Sequence, residues 1–234
     1  MKTLLIIPAY NEEKNIENTI KKILDLHNPD IDYIIINDGS TDNTLEILEN
    51  NHFNYLNLPA NLGIGGAVQT GYKYALYNNY DIAIQFDGDG QHNVEYISQL
   101  IQQIEAGNDL VIGSRFLDNL TGFKSTKTRR VGIKLLSNLI KLCTGKKITD
   151  PTSGFRACNK KIIELFSMNY PYDYPEPDTI VKVIKKGFNV KEIPVIMNEW
   201  EQGKSSINML KSVYYMIKVS LSIIISSFSN KEWK

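Results

Sequence analysis

The sequence is short of cysteine and has no surplus of charge of either sign, and each shortage excludes a class of protein. Its 234 residues include two cysteines, Cys143 and Cys158, which are too few for a disulfide framework and match no zinc-binding spacing. The 26 lysines and arginines balance the 26 acidic residues, whereas nucleic-acid-binding proteins usually carry a basic excess. We therefore expect a cytoplasmic protein with reduced cysteines and no nucleic-acid partner.

A long uninterrupted apolar run is also missing. The N-terminus enters a short strand-like run at residues 4–8, without the charged region and longer apolar stretch of a secretory signal. Residues 213–228 are rich in Ile, Val and Tyr, but they include Lys218 and four serines, so this segment is too short and polar for a spanning helix. Length and composition together predict one α/β domain with a single core.

Strand-like and helix-like segments alternate through the first half of the chain. Short apolar runs predict strands at residues 4–8, 33–36, 55–58, 82–86 and 110–113. Helical patterns predict helices that begin after a cap at Asn11 and at residues 41–48, 63–77 and 94–104. This order predicts a mostly parallel central sheet flanked by helices. After residue 115 the pattern is irregular, with a helix predicted at 131–142 and a strand at 189–197.

The strongest local signal is the acidic segment Gln85-Phe86-Asp87-Gly88-Asp89-Gly90-Gln91-His92, which follows a predicted buried strand. Asp and Gly are also turn residues, so the segment by itself is equally typical of a simple turn. Its place after a strand of a parallel sheet favours a ligand site, because ligands bind at the carboxyl ends of such strands. Asp87 and Asp89 are therefore predicted to hold Mg²⁺ or Mn²⁺ together with diphosphate oxygens. We do not expect His92 to be a metal ligand or a catalytic residue.

Three further loops follow strands, and each is also compatible with a purely structural turn. Residues 8–13 offer backbone N–H groups and Tyr10 to a nucleotide, and Asp38 is a candidate acceptor for hydrogen bonds from a base or ribose. The glycine-rich residues 61–71 match neither the dinucleotide fingerprint nor the P-loop. Gly63 and its neighbours instead predict the close approach of a helix N-terminus to the donor.

Cationic residues follow the fifth predicted strand and a basic loop. Arg115, Arg129 and Arg130 are candidates for phosphate binding, because the planar guanidinium offers a fork of donors, although solvated surface charge is the simpler interpretation. Asp150 begins the turn-rich segment 150–156 and is a candidate base or a carboxylate that supports one.

In this order, the motifs resemble those of the family 2 glycosyltransferases with the GT-A fold. The resemblance rests on Pro8-Ala9-Tyr10-Asn11-Glu12, Asn37-Asp38-Gly39-Ser40-Thr41-Asp42, Asn61-Leu62-Gly63, Asp87-Gly88-Asp89-Gly90-Gln91-His92 and Gly113-Ser114-Arg115-Phe116, and it continues through residues 150–156 and 203–206. Each motif is common alone, but their order over nearly the whole chain is specific. The sequence is most similar to the dolichol- and polyprenyl-phosphate glycosyltransferases of this family.

The resemblance implies metal-dependent, inverting transfer of a sugar from a nucleotide-sugar, preferably a UDP-sugar, to polyprenyl phosphate, for cell-wall or surface polysaccharide synthesis. The implied metal ligands are Asp87, Asp89 and Gln91. The implied donor-binding residues are Pro8, Tyr10, Asn11, Glu12, Asp38, Gly63 and Asp87. The implied catalytic residues are Asp89, Asp150, Arg115 and Glu176, and the implied acceptor-binding residues are Arg115, Arg129, Arg130 and Lys204.

One departure leaves the acceptor open. Relatives of this kind usually have an arginine shortly before the Gly-Lys-Ser segment, whereas residues 198–204 contain none and leave Lys204 as the candidate cation. The main alternative is extension of a lipid-linked or cell-wall polysaccharide at a sugar hydroxyl, with Asp150 or Glu176 as the base. A nucleotidyltransferase would instead show a glycine-rich, basic loop after the first strand. A non-catalytic sugar-nucleotide-binding subunit would have no need of the Asp87/Asp89 pair.

The C-terminal residues 209–234 predict an amphipathic helix that follows a glycosyltransferase domain of residues 1–208. Its predicted apolar face consists of Leu210, Val213, Ile217, Leu221, Ile224 and Phe228, and Lys211, Lys218 and Ser222 lie opposite. Two interpretations remain open. The helix packs on the domain or on a second subunit, or it lies in the plane of the membrane and brings a peripheral enzyme to a lipid acceptor on the inner face.

Overall fold

The computed structural model describes residues 1–117, 127–198 and 209–228. The strands are β1 Thr3–Ala9, β2 Ile31–Asn37, β3 Tyr55–Asn57, β4 Ile82–Gln85, β5 Leu110–Ser114, β6 Arg156–Asn159 and β7 Val190–Pro194. The helices are α1 Ile16–Leu24, α2 Thr44–Asn50, α3 Gly63–Tyr77, α4 Ile97–Glu105, α5 Lys127–Thr144, α6 Lys160–Met168, α7 Pro175–Lys185 and α8 Met209–Phe228. A short 3₁₀ turn, Val94–Tyr96, precedes α4.

The seven strands form one sheet in the order β3-β2-β1-β4-β6-β5-β7. Every pairing is parallel except those that β6 makes with β4 and β5. The predicted mostly parallel sheet is confirmed, and the antiparallel β6 is an addition to it. Because β6 runs against its neighbours, the segment before it, residues 150–155, reaches the edge where the parallel strands end. Arg156 pairs there with Gln85 of β4 and Ile112 of β5.

Both faces of the sheet are covered, as expected for parallel strands with near-continuous apolar sequences. Side chains alternate between faces along a strand, so Leu4 and Ile6 join the core beneath α3, α5, α6, α7 and α8, whereas Leu5 and Ile7 join the core beneath α1, α2 and α4. The carboxyl ends of β1, β2, β4 and β5 are therefore held rigidly at one edge.

The predicted cap at Asn11 is wrong. The first helix begins five residues later, at Ile16, and Asn11 adopts a left-handed conformation with φ 56°. Its side chain accepts a hydrogen bond from the N–H of Thr41, 2.8 Å away, so it joins two loops instead of starting a helix. The second helix begins at Thr44 rather than residue 41, after a turn in which Asp42 accepts the N–H of Thr44 at 3.0 Å.

Two helices were not predicted. Helix α6 is capped by Asn159, whose side chain accepts the N–H of Ile162 at 3.2 Å. Helix α7 starts with Pro175, whose fixed φ suits the first helical position. The prolines around residues 171–177 mark a turn in the sequence, and they conceal the helix that begins among them.

Helix α8 packs on the domain, but the face that contacts the domain is not the apolar face predicted from the sequence. Val219 and Ile223 are buried in the core, whereas the predicted apolar residues Ile217, Leu221 and Phe228 are 58%, 54% and 81% exposed. The side chains of Leu210, Lys211 and Val213 lie outside the described part of the structure. Among the described residues, no helix combines the length and apolar character needed to cross a bilayer.

Polar contacts fix this orientation of α8. The hydroxyls of Ser222 and Ser226 donate to Oδ1 of Asp178 in α7, at 2.9 Å for Ser222, and the Asp178 side chain is buried. Lys182 supplies the balancing charge, with its Nζ 2.5 Å from Oδ2 of Asp178. Ser222, predicted opposite the apolar stripe, therefore faces the domain.

Candidate active site

A cleft of about 400 Å³ opens at the carboxyl edge of the sheet, beyond β1, β2 and β4. This volume lies within the range of small-molecule sites, about 300–1,000 Å³. Its walls are formed by Pro8, Ala9, Tyr10, Glu12, Asp38, Asn61, Gly63, Ile64, Ala67, Asp87, Gly88 and Asp89. Every residue predicted to bind the donor lines this cleft except Asn11. Asn11 instead joins the loops after β1 and β2, because its N–H also donates to Ser40 Oγ at 3.0 Å.

The N-terminus of α3 faces the cleft through Gly63, Ile64 and Ala67. The helix dipole makes such an end favourable for an anion, but the N–H groups of Gly63 and Gly65 already donate to Asn61 Oδ1 at 3.0 Å and to the Tyr172 carbonyl at 3.1 Å. Asp38 fixes Leu62, the residue just before this helix: the side chain of Asp38 is buried, and its Oδ1 accepts the N–H of Leu62 at 2.7 Å. Burial raises the pKa of Asp38, and the hydrogen bonds from the backbone of residues 62 and 63 oppose that shift.

Asp87 and Asp89, which follow β4, line the same cleft. Burial raises the pKa of both carboxyls, and the charge of Asp87 raises the pKa of Asp89 further. Two partly buried like charges are costly, and a divalent cation between them would remove that cost. Among the described residues, no three His, Cys, Asp or Glu side chains form a metal cage. The pair therefore fits a hard cation whose coordination is completed by substrate oxygens.

The turn that carries this pair is held by backbone contacts. The N–H of Gln91 donates to Asp89 Oδ1 at 2.9 Å, as in an ordinary Asx turn. Asn198, beyond β7, donates its N–H to the Gln91 carbonyl at 2.8 Å and its side-chain amide to the Gly90 carbonyl at 3.1 Å. The turn and ligand interpretations of this segment are thus compatible, since the same hydrogen bonds position both aspartates.

His92 supports Asp87 from within the protein. The Asp87 N–H donates to Nδ1 of His92 at 2.9 Å, so the imidazole proton is on Nε2, which lies 3.3 Å from Asp87 Oδ2. Burial lowers the pKa of His92 to about 4, and the ring stacks on Phe155 with centroids 4.6 Å apart. The histidine is therefore a neutral donor that orients a carboxylate, as outer partners of metal ligands commonly are.

Gly154 leaves the space that the acidic pair requires. A Cβ at this position would lie 2.9 Å from Asp87 Oδ2 and 2.9 Å from Gln85 Nε2, although the backbone itself would accept alanine. We expect Gly154→Ala to displace Asp87 and to raise the Mn²⁺ concentration needed for half-maximal activity about tenfold. The free energy of unfolding should change little. Titration of activity against Mn²⁺, beside urea unfolding, measures both quantities. An unchanged Mn²⁺ profile would contradict this role of Gly154.

Arg115 and Asp150 form a buried ion pair at the next strand end. Asp150 is fully buried, and its Oδ2 and Oδ1 accept Nε and Nη2 of Arg115 at 2.6 and 2.7 Å. Burial lowers the pKa of Arg115, but the hydrogen bonds and charge of Asp150 raise it above its ordinary value. With both oxygens of Asp150 engaged, this geometry suits a carboxylate that fixes an arginine better than one that accepts a substrate proton.

Glu192 anchors the other side of this pair. Its carboxylate on β7 accepts the N–H of Thr149 at 2.8 Å and the N–H of Asp150 at 2.9 Å. The sequence contains no motif that marks Glu192. It reaches Asp150 through the parallel pairing of β7 with β5, in which Glu192 stands beside Ile112.

Arg129 and Arg130 are both exposed near the start of α5. Partial loss of hydration lowers the pKa of Arg129, and Arg115 is close enough for its charge to lower that pKa further. Lys204 lies outside the described residues.

Glu176 stands at the start of α7, near the acidic pair. Burial raises its pKa, the positive charge of Arg156 lowers it, and Asp87 adds to the rise. Arg156 is fully buried and donates to Ser153 O at 3.2 Å and to Thr179 Oγ1 at 3.1 Å. Its guanidinium also lowers the pKa of Asp87. No sequence motif assigns a role to Arg156, yet it is a buried cation whose charge lowers the pKa of both Glu176 and Asp87.

The fold and the site together define a class. A mostly parallel sheet, a helix N-terminus facing a nucleotide-sized cleft and a carboxylate pair after β4 are those of the GT-A glycosyltransferases. The chain belongs to glycosyl transferase family 2, whose family model matches residues 4–166. The predicted family and fold are confirmed.

Two of the relatives that this chain resembles are named for transfer to polyprenol or dolichyl phosphate. The polyprenol monophosphomannose synthase of Mycolicibacterium smegmatis is 28% identical over 94% of this chain and 86% of its own. The UDP-N-acetylglucosamine–dolichyl-phosphate N-acetylglucosaminyltransferase of Methanococcus voltae is 33% identical over 94% of this chain and 97% of its own. Glucosyl-3-phosphoglycerate synthase of Mycobacterium tuberculosis, solved with Mn²⁺, UDP and phosphoglyceric acid, shares the fold at a TM-score of 0.72, with 16% identity over 99% of this chain and 80% of that one.

Proposed function

We propose that this chain transfers one sugar from a nucleotide-sugar, preferably a UDP-sugar, to the phosphate of a polyprenyl phosphate, with inversion at the anomeric carbon. The observation that carries the proposal is the pair of arginines beyond the acidic turn. Arg115 is held rigidly by the buried Asp150, and Arg129 lies near it. A fixed guanidinium beside a second one suits an anionic acceptor. The names of the mycobacterial and methanococcal relatives point to the same acceptor class.

The donor would occupy the cleft between the first two strand ends and α3. Pro8, Tyr10, Glu12 and Asp38 would contact the nucleoside, and the α3 N-terminus at Gly63 would face the diphosphate. Asp87 and Asp89, with Gln91 alongside, would hold Mg²⁺ or Mn²⁺. That cation, when bound, would stabilise the negative charge that develops on the leaving diphosphate.

The chain's own residues would then place the acceptor. Arg115 and Arg129 would orient a phosphate oxygen toward the anomeric carbon, on the side away from the diphosphate. Because this oxygen is already anionic, the reaction needs orientation more than proton removal. Arg130, which is exposed on α5, would add positive charge for the acceptor phosphate, and Lys204, which lies outside the described residues, stays a predicted acceptor-binding residue. His92 would keep Asp87 aligned throughout.

Transfer to a sugar hydroxyl is the second candidate, and Glu176 favours it. This half-buried carboxyl has a raised pKa and lies close enough to Asp87 to sense its charge, as a proton acceptor would. Asp150 suits that role less well, because both of its oxygens bind Arg115.

The C-terminal helix would bring this site to the lipid. We propose that residues 1–208 form the catalytic domain and that residues 209–234 lie along the inner face of the membrane. The exposed Ile217, Leu221 and Phe228 form an apolar strip on the outside of α8, and the exposed Val131 and Leu135 lie on the neighbouring α5. An in-plane helix binds a bilayer through such a surface.

The function is tested with radiolabelled UDP-, GDP- and dTDP-sugars, Mn²⁺ or Mg²⁺, and undecaprenyl phosphate. We expect label from one donor to enter the organic phase, and EDTA to abolish that transfer. Transfer to an oligosaccharide, with none to the lipid phosphate, would replace the first candidate with the second. Absence of both transfer and donor hydrolysis with every donor would contradict a catalytic role.

A further inference from the structure

Tyr215 of α8 lies between the beginnings of α5 and α7. Its ring meets that of Tyr174, the residue before α7, edge to face with centroids 4.4 Å apart. The next residue of α8, Met216, lies against Gly132 of α5, where an added Cβ would stand 3.1 Å from the Met216 sulfur. Glycine at position 132 thus lets α8 approach α5 closely, and this approach carries Tyr215 inward.

The groups around Tyr215 are those assigned to the acceptor side. Glu176 lies two residues beyond Tyr174, and Arg129 lies one helical turn before Gly132. Burial raises the pKa of the Tyr215 hydroxyl, and Glu176 and Tyr174 raise it further, whereas Arg129 and Arg115 lower it. The hydroxyl therefore remains protonated at neutral pH and is a hydrogen-bond donor among these charges.

The position of Tyr215 is fixed by polar contacts further along α8. Lys218, one turn further on, places its Nζ 2.5 Å from Asp173 Oδ2, in the loop before α7. Beyond it, Ser222 and Ser226 donate to the buried Asp178. The neighbouring Tyr214 points elsewhere, being 62% exposed, with its ring centroid 5.8 Å from Lys218 Nζ.

We propose that Tyr215 is an acceptor-binding residue, whose hydroxyl donates a hydrogen bond to the acceptor phosphate beside Arg115 and Arg129. This inference rests on the proposed function. It makes α8 a wall of the acceptor site in addition to its part in membrane contact. The two guanidinium groups would attract the phenolic oxygen, which leaves the proton directed toward an anion. Packing against Tyr174 alone would be served equally well by phenylalanine.

The test compares Tyr215→Phe with the matched control Tyr214→Phe. Two acceptors are used, undecaprenyl phosphate in detergent and the shorter, soluble farnesyl phosphate. We expect Tyr215→Phe to raise KM about tenfold for both acceptors, as for the loss of a hydrogen bond to a charged group. The kcat and the KM for the nucleotide-sugar should stay unchanged, and Tyr214→Phe should behave as the wild type.

Each other outcome has a separate meaning. A KM that rises only for undecaprenyl phosphate would place Tyr215 on the lipid chain and overturn its contact with phosphate. Equal effects of the two substitutions, or no effect of either, would overturn the inference as well. Wild-type protein that transfers sugar to neither phosphate, while using a glycan acceptor, would instead remove the proposed function on which the inference rests.

Discussion

Substitution of Asp89 by alanine is expected to lower kcat/KM about a thousandfold, which corresponds to about 4 kcal/mol of lost transition-state stabilisation. The carboxylate is half of the pair that would hold the cation, and a single carboxylate binds Mg²⁺ or Mn²⁺ poorly. The metal-free protein should change little in stability. Burial and the charge of Asp87 both raise the pKa of Asp89, so removal of this carboxyl relieves a cost in the folded state, and the loss of the acceptor of the Gln91 N–H offsets that gain.

Two measurements separate a metal ligand from a structural turn. Mn²⁺ should raise the melting temperature of the wild type and not that of Asp89→Ala, because only a folded state that binds the ion is stabilised by it. Asp25→Asn changes an exposed acid just after α1, at the opposite edge of the sheet, and serves as the control with wild-type kinetics. Wild-type turnover in Asp89→Ala would refute the metal assignment.

Substitution of Asp150 by alanine is expected to destabilise the fold by about 3–5 kcal/mol and to abolish transfer. Asp150 is buried, and both of its carboxylate oxygens accept hydrogen bonds from Arg115. Removal of one partner leaves a buried, unpaired guanidinium, which is the costly change in such a pair. The free energy of unfolding in urea and the KM for the acceptor measure the two effects.

The double variant Arg115→Met/Asp150→Leu distinguishes stability from function. An apolar pair of similar size commonly replaces a buried ion pair without loss of stability, so this variant should regain most of the free energy of unfolding. It should not regain transfer, because the acceptor phosphate has lost the arginine that would bind it.

An Asp150→Asn variant tests the alternative role of Asp150. A normal KM for the acceptor with a kcat reduced more than a hundredfold would indicate that Asp150 is a general base, and would favour a hydroxyl acceptor.

Much of the donor side follows from local sequence. Apolar runs of four or five residues followed by polar loops are sufficient to place Asp38 and Asp87 at strand ends, and parallel strands bring those ends to one edge. The same reasoning failed at Asn11, because a residue that is a good helix cap in isolation is equally suited to a left-handed turn, and its contact with Thr41 decided between them.

The acceptor side depended on contacts between distant segments. The sequence marked Arg115 and Asp150 separately, but only the antiparallel β6 brings residue 150 to the end of β5. It gave no sign of Glu192 or Tyr215, because neither belongs to a motif and each acts through neighbours far away in the chain.

The sequence by itself determined that a parallel sheet would gather an acidic pair, a glycine-rich helix start and arginines at one edge. These are properties of short segments, in which spacing and side-chain type suffice. Only the tertiary structure decided which arginine is fixed by a carboxylate and which stripe of the last helix meets the protein. An amphipathic pattern shows that a helix has two faces, but it does not show which face packs on the protein. The hydrogen bonds from Ser222 and Ser226 to the buried Asp178 place their side of α8 against the domain, and the predicted apolar face is exposed.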